Sequence, residues 1–179
     1  MKEERVIRIG TRESRLAMWQ AEYVARQIRT SHPEIKVELV PMTTTGDKIL
    51  HRALDQVGGK GLFVKELDLA LREKRTDLSV HSLKDVPMEI PEDLPLLAFT
   101  GREDPRDVVI FRDRHSKEDT GRKLRIGTSS SRRRIQLQEL YPNADFPLIR
   151  GNVQTRLQKV ESGEYDGTVL AMAGLKRLG

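Results

Sequence analysis

Apolar residues along this chain fall into short runs separated by longer stretches in which they recur every three or four positions. That pattern alternates buried strands with amphipathic helices. Residues 6–11 read as a buried first strand, and residues 14–30 as a helix with Leu16, Trp19, Tyr23, Val24 and Ile28 near one face. Residues 36–42 alternate as a second strand. Residues 62–74 place Phe63, Leu67, Ala70 and Leu71 at helical spacing, and residues 77–81 form a short strand. Beyond Pro87, Pro91 and Pro95 only residues 96–100 read as a strand, which marks this stretch as a crossing between lobes. The pattern then resumes with a strand at 107–111, a polar surface stretch at 112–122 and a strand at 124–128. A helix over 133–140, a short strand at 146–149, a helix from Val153 to near Gly163 and a buried strand at 165–171 complete it, with a further element beginning at Ala173.

This succession predicts an α/β fold of two similar lobes, each a mixed sheet flanked by helices, with residues 1–100 in the first domain and 101–179 in the second. The same strand-to-helix turn occurs in both. Arg8-Ile9-Gly10-Thr11-Arg12-Glu13-Ser14 and Arg125-Ile126-Gly127-Thr128-Ser129-Ser130-Ser131-Arg132 each carry an apolar run into Gly-Thr and then into hydroxyls and arginines. Free backbone N–H groups and the positive end of a helix dipole make such a turn a candidate anion site. Two of them point to a ligand with more than one acidic group, and Ser14 is a candidate helix cap.

Composition narrows the chemistry. The 179 residues contain no cysteine, so disulfides, thiolate metal sites and a cysteine nucleophile are excluded within them. His32, His51, His81 and His115 lack metal-ligand spacing, and no metal is assigned. No apolar segment reaches membrane-spanning length and the N-terminus lacks an apolar signal region, so a cytoplasmic protein is expected. The net charge of +5 is uneven, because Arg122, Lys123, Arg125, Arg132, Arg133 and Arg134 follow one another with no acid between Gly121 and Gln138. Few aromatic residues accompany them, and they surround a glycine turn instead of lining one helical stripe. A small polyanion and a solvated face therefore fit better than nucleic acid.

Further candidates sit at strand ends, where ligands collect in open α/β sheets. Lys84 and Asp85 follow the strand at 77–81 and read either as functional groups or as an exposed turn pair. Arg150 ends the strand at 146–149. Arg156 lies one to two turns into the next helix, where it either reaches back toward Arg150 or points to solvent. Phe63 reads as a cleft residue or as a core position of its helix, and Gly58, Gly59 and Lys60 as part of a glycine-rich hinge or loop.

Taken in order, Arg8-Ile9-Gly10-Thr11-Arg12-Glu13-Ser14, Gly58-Gly59-Lys60-Gly61-Leu62-Phe63, His81-Ser82-Leu83-Lys84-Asp85-Val86-Pro87, Arg102-Glu103-Asp104-Pro105-Arg106-Asp107, Gly127-Thr128-Ser129-Ser130, Arg132-Arg133, Arg150-Gly151-Asn152-Val153 and Leu175-Lys176-Arg177-Leu178-Gly179 resemble the porphobilinogen deaminase family. The resemblance implies a three-domain enzyme whose first two domains are similar to periplasmic binding protein lobes enclosing a cleft. It implies head-to-tail joining of four porphobilinogens into hydroxymethylbilane with loss of ammonia, on a dipyrromethane cofactor bound to a cysteine of the third domain. By that resemblance Arg12, Ser14, Thr128, Ser130, Arg132, Arg133, Arg150, Arg156 and Arg177 bind the acetate and propionate groups of substrate and cofactor. Asp85 stabilises the positive charge that develops on the pyrrole as an electron-poor azafulvene forms, and Lys84 positions carboxylates beside it. Gly58, Gly59 and Lys60 belong to a lid over the cleft and Phe63 lines it.

The family pattern is left unfinished at Gly179. The expectation is that the return segment of the first domain and the third domain are absent, that apolar surface is exposed, that no cofactor is covalently held, and that the chain alone is an inactive monomer. A two-lobed module that merely captures a small carboxylate is the rival reading. The acid at Asp85 distinguishes the two, since capturing an anion needs no carboxylate of its own.

Overall fold

The computed structural model describes residues 5–49, 61–113 and 123–179. Residues 5–101 of that set form one compact unit and Arg102–Arg177 a second. Gly58, Gly59 and Lys60, expected in a lid, lie outside the described residues.

In the first unit, β1 (Val6–Arg12) is the centre of a three-stranded parallel sheet, between β2 (Lys36–Met42) and β3 (Leu78–Ser79). The hydrophobic run of β1 is explained by that central place, because the strand is covered on its faces as well as paired along both edges. Helix α1 (Arg15–Ser31) packs on the sheet through Ala21 and Ala25, both fully buried, with Val24 and Ile28 beside them against Ile9, Ile35 and Val37. Trp19 and Tyr23 are only half-buried and stack on each other at 5.6 Å. The core face of α1 is therefore centred on the two alanines, whose small side chains let the helix approach the sheet. A short helix α2 (Thr45–Lys48) follows β2, and α3 (Lys65–Arg72) buries Leu67 and Ala70. Phe63 lies in the turn before α3, not on the core face of that helix.

Strand β3 is shorter than the expected 77–81, yet Asp77 N donates to Arg8 O at 2.8 Å and Val80 N to Gly10 O at 3.1 Å, so the ladder extends one residue either way. It ends at a 3-10 turn, Leu83–Asp85, in which Asp85 N donates to Ser82 O at 2.9 Å. Residues 96–100 are not a strand. Leu97 and Phe99 are 82% and 70% exposed, and a β-rich segment that no strand among the described residues pairs with stays irregular.

The second unit has a mixed sheet: β6 (Gly167–Ala171) is central, antiparallel to β4 (Asp107–Phe111) and parallel to β5 (Ile126–Gly127). Leu124, Ile126, Val169 and Leu137 of α4 (Ser131–Leu140) form its core. Residues 146–149 run beside β5 without completing a ladder. Ile126 N donates to Asp145 O at 2.9 Å and Thr128 N to Pro147 O at 3.0 Å, but Pro147 has no N–H to return a bond. Helix α5 (Val153–Glu161) follows, then β6 leads into α6 (Met172–Leu178).

Three strand-to-helix turns are closed alike. Ser14 Oγ accepts from Ala17 N at 3.3 Å, Ser130 Oγ from Arg133 N at 3.4 Å and Asn152 Oδ1 from Thr155 N at 3.0 Å. Each bond satisfies a first-turn donor that would otherwise lack a partner. At the third turn Gly151 has φ +114°, and a Cβ there would meet Thr155 Cγ2 at 2.6 Å. Gly151→Ala is accordingly expected to destabilise the second unit by about 1–3 kcal/mol. Urea unfolding followed by circular dichroism tests this; the single tryptophan, Trp19, sits in the first unit, and its fluorescence transition should stay in place.

Candidate functional site

In the first unit the end of β1 delivers Arg12 to a cluster built by three other segments. Its Nε donates to Asp47 Oδ2 at 3.1 Å and its Nη2 to Asp47 Oδ1, a two-point pair. Its Nη1 lies 3.6 Å from Asp85 Oδ2, and its guanidinium sits 4.3 Å above the centre of the Phe63 ring. Burial leaves the Arg12 side chain 19% exposed, so these contacts are worth more than on an open surface. The Phe63 ring fills the space that a side chain at Gly46 would need, since a Cβ there would come within 2.4 Å of it.

Asp47 receives two further hydrogen bonds, from Thr44 N at 3.3 Å and Thr44 Oγ1 at 2.7 Å. Burial pushes its carboxyl up, but the Arg12 and Thr44 hydrogen bonds and the Arg12 charge outweigh it and hold the carboxyl below the usual range. Helix α2 is tied down by Glu66, which accepts from Thr45 N at 2.9 Å and Thr45 Oγ1 at 2.5 Å. The Gln20 side-chain amide donates to Ser82 Oγ at 3.0 Å, fixing the start of the turn that carries Lys84 and Asp85. Lys84 is exposed and Asp85 half-buried. His81, at the same strand end, is pushed down from its ordinary value by burial and by Arg12 against the pull of Asp68 and Asp85, and is neutral at pH 7.

The second unit gathers cations. Arg133 is 12% exposed and fully engaged, donating to Asp107 Oδ2 at 3.0 Å, Asp107 Oδ1 at 2.6 Å and Val169 O at 3.2 Å. Arg132 is 65% exposed and reaches the same carboxylate at 3.3 Å. Burial pushes Asp107 up, and the two arginines more than reverse this. Arg150 is buried at 7% exposure, and that burial pulls its guanidinium down. Arg156, half-buried, donates Nε to Gly151 O at 2.8 Å. Its pKa falls to about 10, chiefly through burial and then through the charges of Arg150 and Arg133, with no carboxylate among the described residues acting against them.

Of the sequence-named residues, Arg12, Phe63 and Asp85 come together in the first unit, with Lys84 adjacent. Arg132, Arg133, Arg150 and Arg156 come together in the second. Arg156 turns back toward Arg150 and away from solvent, and Phe63 backs Arg12. Ser14 and Ser130 spend their hydroxyls as helix caps, and Thr128 Oγ1 accepts from Ser130 N at 3.2 Å. Arg177 is half-buried on α6 beside Lys176, which binds Glu103 at 2.8 Å. Asp47 and Asp107 were not singled out from sequence. Their signals were present as the capping-box spacing of Thr44 and Asp47, and the acid that opens β4 directly after Arg106. No group of acids and histidines among the described residues is arranged to hold a metal, and no described helix is long and apolar enough to cross a membrane.

Residues 7–179 match the family model described as porphobilinogen deaminase, dipyromethane cofactor binding domain. A porphobilinogen deaminase of Acetivibrio thermocellus is 53% identical over 173 residues, covering 97% of this chain and 59% of the relative, so the chain spans about three-fifths of that protein's length. Among solved structures, the periplasmic VFT2 domain of Bordetella pertussis BvgS gives a TM-score of 0.48 at 17% identity, covering 96% of this chain and 68% of the other. A probable amino-acid ABC transporter extracellular-binding protein of Bacillus subtilis gives 0.45 at 12% identity, covering 94% and 71%.

The lowered pKa of Arg156 carries a sign. A cation whose folded pKa lies below its unfolded value costs stability throughout the range below the folded pKa, near 10, and the cost fades as pH rises from there toward the ordinary arginine value. Arg156→Gln is therefore expected to raise the thermal midpoint of the ligand-free chain at pH 7 by a few degrees, roughly 1 kcal/mol, with a smaller gain above pH 10. Scanning calorimetry at both pH values checks it.

Proposed function

The chain belongs to the porphobilinogen deaminase family, and from that membership we propose that it carries the substrate-binding and proton-handling groups of hydroxymethylbilane synthesis, the head-to-tail joining of four porphobilinogens with release of ammonia. The observation that carries the reading is Arg156, a half-buried cation beside Arg150 and Arg133 with no carboxylate among the described residues acting against it. A ligand rich in acetate and propionate groups supplies the missing charge, and arginine binds such groups through paired N–H donors.

In this reading Arg150 and Arg156 take ligand carboxylates in the second unit, and exposed Arg132 adds a third donor. Arg133 acts by holding Asp107 and the start of β4 in place. Thr128 and Ser130 shape the turn that presents these arginines, as Ser14 does for Arg12, and Arg177 is a further carboxylate donor. In the first unit Asp85 accepts the pyrrole N–H, stabilises positive charge on the ring as ammonia leaves, and takes up the proton released when the rings join. Lys84 steers carboxylates toward it. Neutral His81 lies close enough to feel the Asp85 charge without adding a competing cation.

The family's dipyrromethane supplies a covalently held pyrrole from which the chain of rings grows. Its carboxylates suit the uncompensated charge of Arg156, but its thioether does not fit these 179 residues, which contain no cysteine. The reading therefore has a polypeptide of these residues alone bind pyrrole carboxylates without turning over. It also has the protein work as a cytoplasmic monomer, as the family does.

Calorimetric titration of the chain with porphobilinogen and with hydroxymethylbilane tests this. Binding should weaken about ten- to a hundredfold in Arg156→Gln, the loss expected for one charge-assisted pair. Asp85→Asn should still bind the tetrapyrrole. Sustained formation of hydroxymethylbilane by the 179-residue chain, or binding indifferent to Arg156→Gln, would contradict the proposal.

A further inference from the structure

Arg12 carries the sequence signature of a ligand-binding arginine, yet its best donor edge is already taken by the chain itself. Nε and Nη2 are spent on the two oxygens of Asp47, Nη1 faces Asp85, and one face of the guanidinium lies on Phe63. We propose that Asp47 is a specificity-determining residue that occupies Arg12 as an internal carboxylate, so that a ligand carboxylate reaches this arginine only by displacing it.

Three features make Asp47 a built competitor and not a passing surface contact. It is held from the other side by Thr44 N and Thr44 Oγ1, which aim its carboxylate at Arg12. The helix that bears it is fastened by Glu66 through Thr45, and Gly46 leaves room for the Phe63 ring beneath Arg12. The pair is also three-quarters or more removed from solvent, with side-chain exposures of 19% and 25%.

A tethered carboxylate acts at a high effective concentration, so a small free monocarboxylate that replaces it exchanges one ion pair for another and loses its own freedom of motion. A ligand already anchored through other carboxylates does not bear that loss. The arrangement selects for ligands with several acidic groups and rejects abundant small acids. It rests on Arg12 serving a polycarboxylate, the substrate class proposed above, but the competition itself can be measured with acetate.

The test follows the Arg12 Nε–H resonance of arginine-labelled chain during titration with sodium acetate, against sodium chloride at equal ionic strength, with Arg12→Lys to assign the signal. In the unaltered chain the resonance should barely respond. In Asp47→Asn it should respond at acetate concentrations lower by at least about tenfold. Thr44→Val removes one of the two bonds that aim the Asp47 carboxylate but keeps the carboxylate and the Thr44 N bond, and should respond between the unaltered chain and Asp47→Asn. Equal responses in Asp47→Asn and the unaltered chain, including none in either, would overturn the proposal. So would a Thr44→Val response as large as that of Asp47→Asn. Failure of porphobilinogen to bind would count against the proposed function while leaving this acetate comparison intact.

Discussion

A guanidinium taken out of water needs an anion, and how each arginine meets that need organises both candidate sites. Arg12 is compensated by Asp47 and shares Asp85. Arg133 is compensated by Asp107, with its remaining donor on the β6 backbone. Arg156 has a carbonyl oxygen and two neighbouring cations, and its lowered pKa records the imbalance. Holding such a charge half-buried costs stability, a recurrent mark of sites that a ligand completes. The first unit thus presents a charge-balanced arginine beside an acid, and the second an excess of positive charge.

Under the proposed function, that division serves two different chemical tasks. Building a chain of pyrroles requires that carboxylates be gripped as they accumulate, which suits fixed cations on a rigid turn. It also requires a negative group where positive charge develops on a ring, and a second uncompensated cation there would work against the reaction. Asp47 pairs with Arg12 beside Asp85 and so offsets the cation there. The three capped turns at Ser14, Ser130 and Asn152 make these placements rigid, so the backbone geometry is set before any ligand arrives.

Much of this could be read from the residues. Short apolar runs ending in Gly-Thr marked β1 and β5, helical spacing marked α1 and α5, and motif order identified the family. The helix face was misplaced toward Trp19 and Tyr23 because bulk dominates a periodicity reading, whereas contact distance favours Ala21 and Ala25. Residues 146–149 look like a strand in composition, and the missing N–H of Pro147 undoes it. Residues 96–100 have strand-forming side chains but pair with no strand among the described residues. Partner choice was the least visible layer: sequence separates neither Arg133, which is structurally bound to Asp107, nor Arg12, which is held by Asp47, from an arginine such as Arg156 that has no acid against it among the described residues. Those pairs join positions 26 and 35 residues apart, and only the folded chain selects them.

The central claim is that Arg156 waits, at a cost, for a ligand carboxylate. The direct measurement is the pH titration of its guanidinium carbon by nuclear magnetic resonance, in the free chain and in the chain saturated with hydroxymethylbilane. The account predicts a midpoint near 10 without ligand and a rise of at least about one unit with it. A guanidinium that titrates at the ordinary arginine value without ligand, or a midpoint that the ligand leaves unmoved, would contradict it.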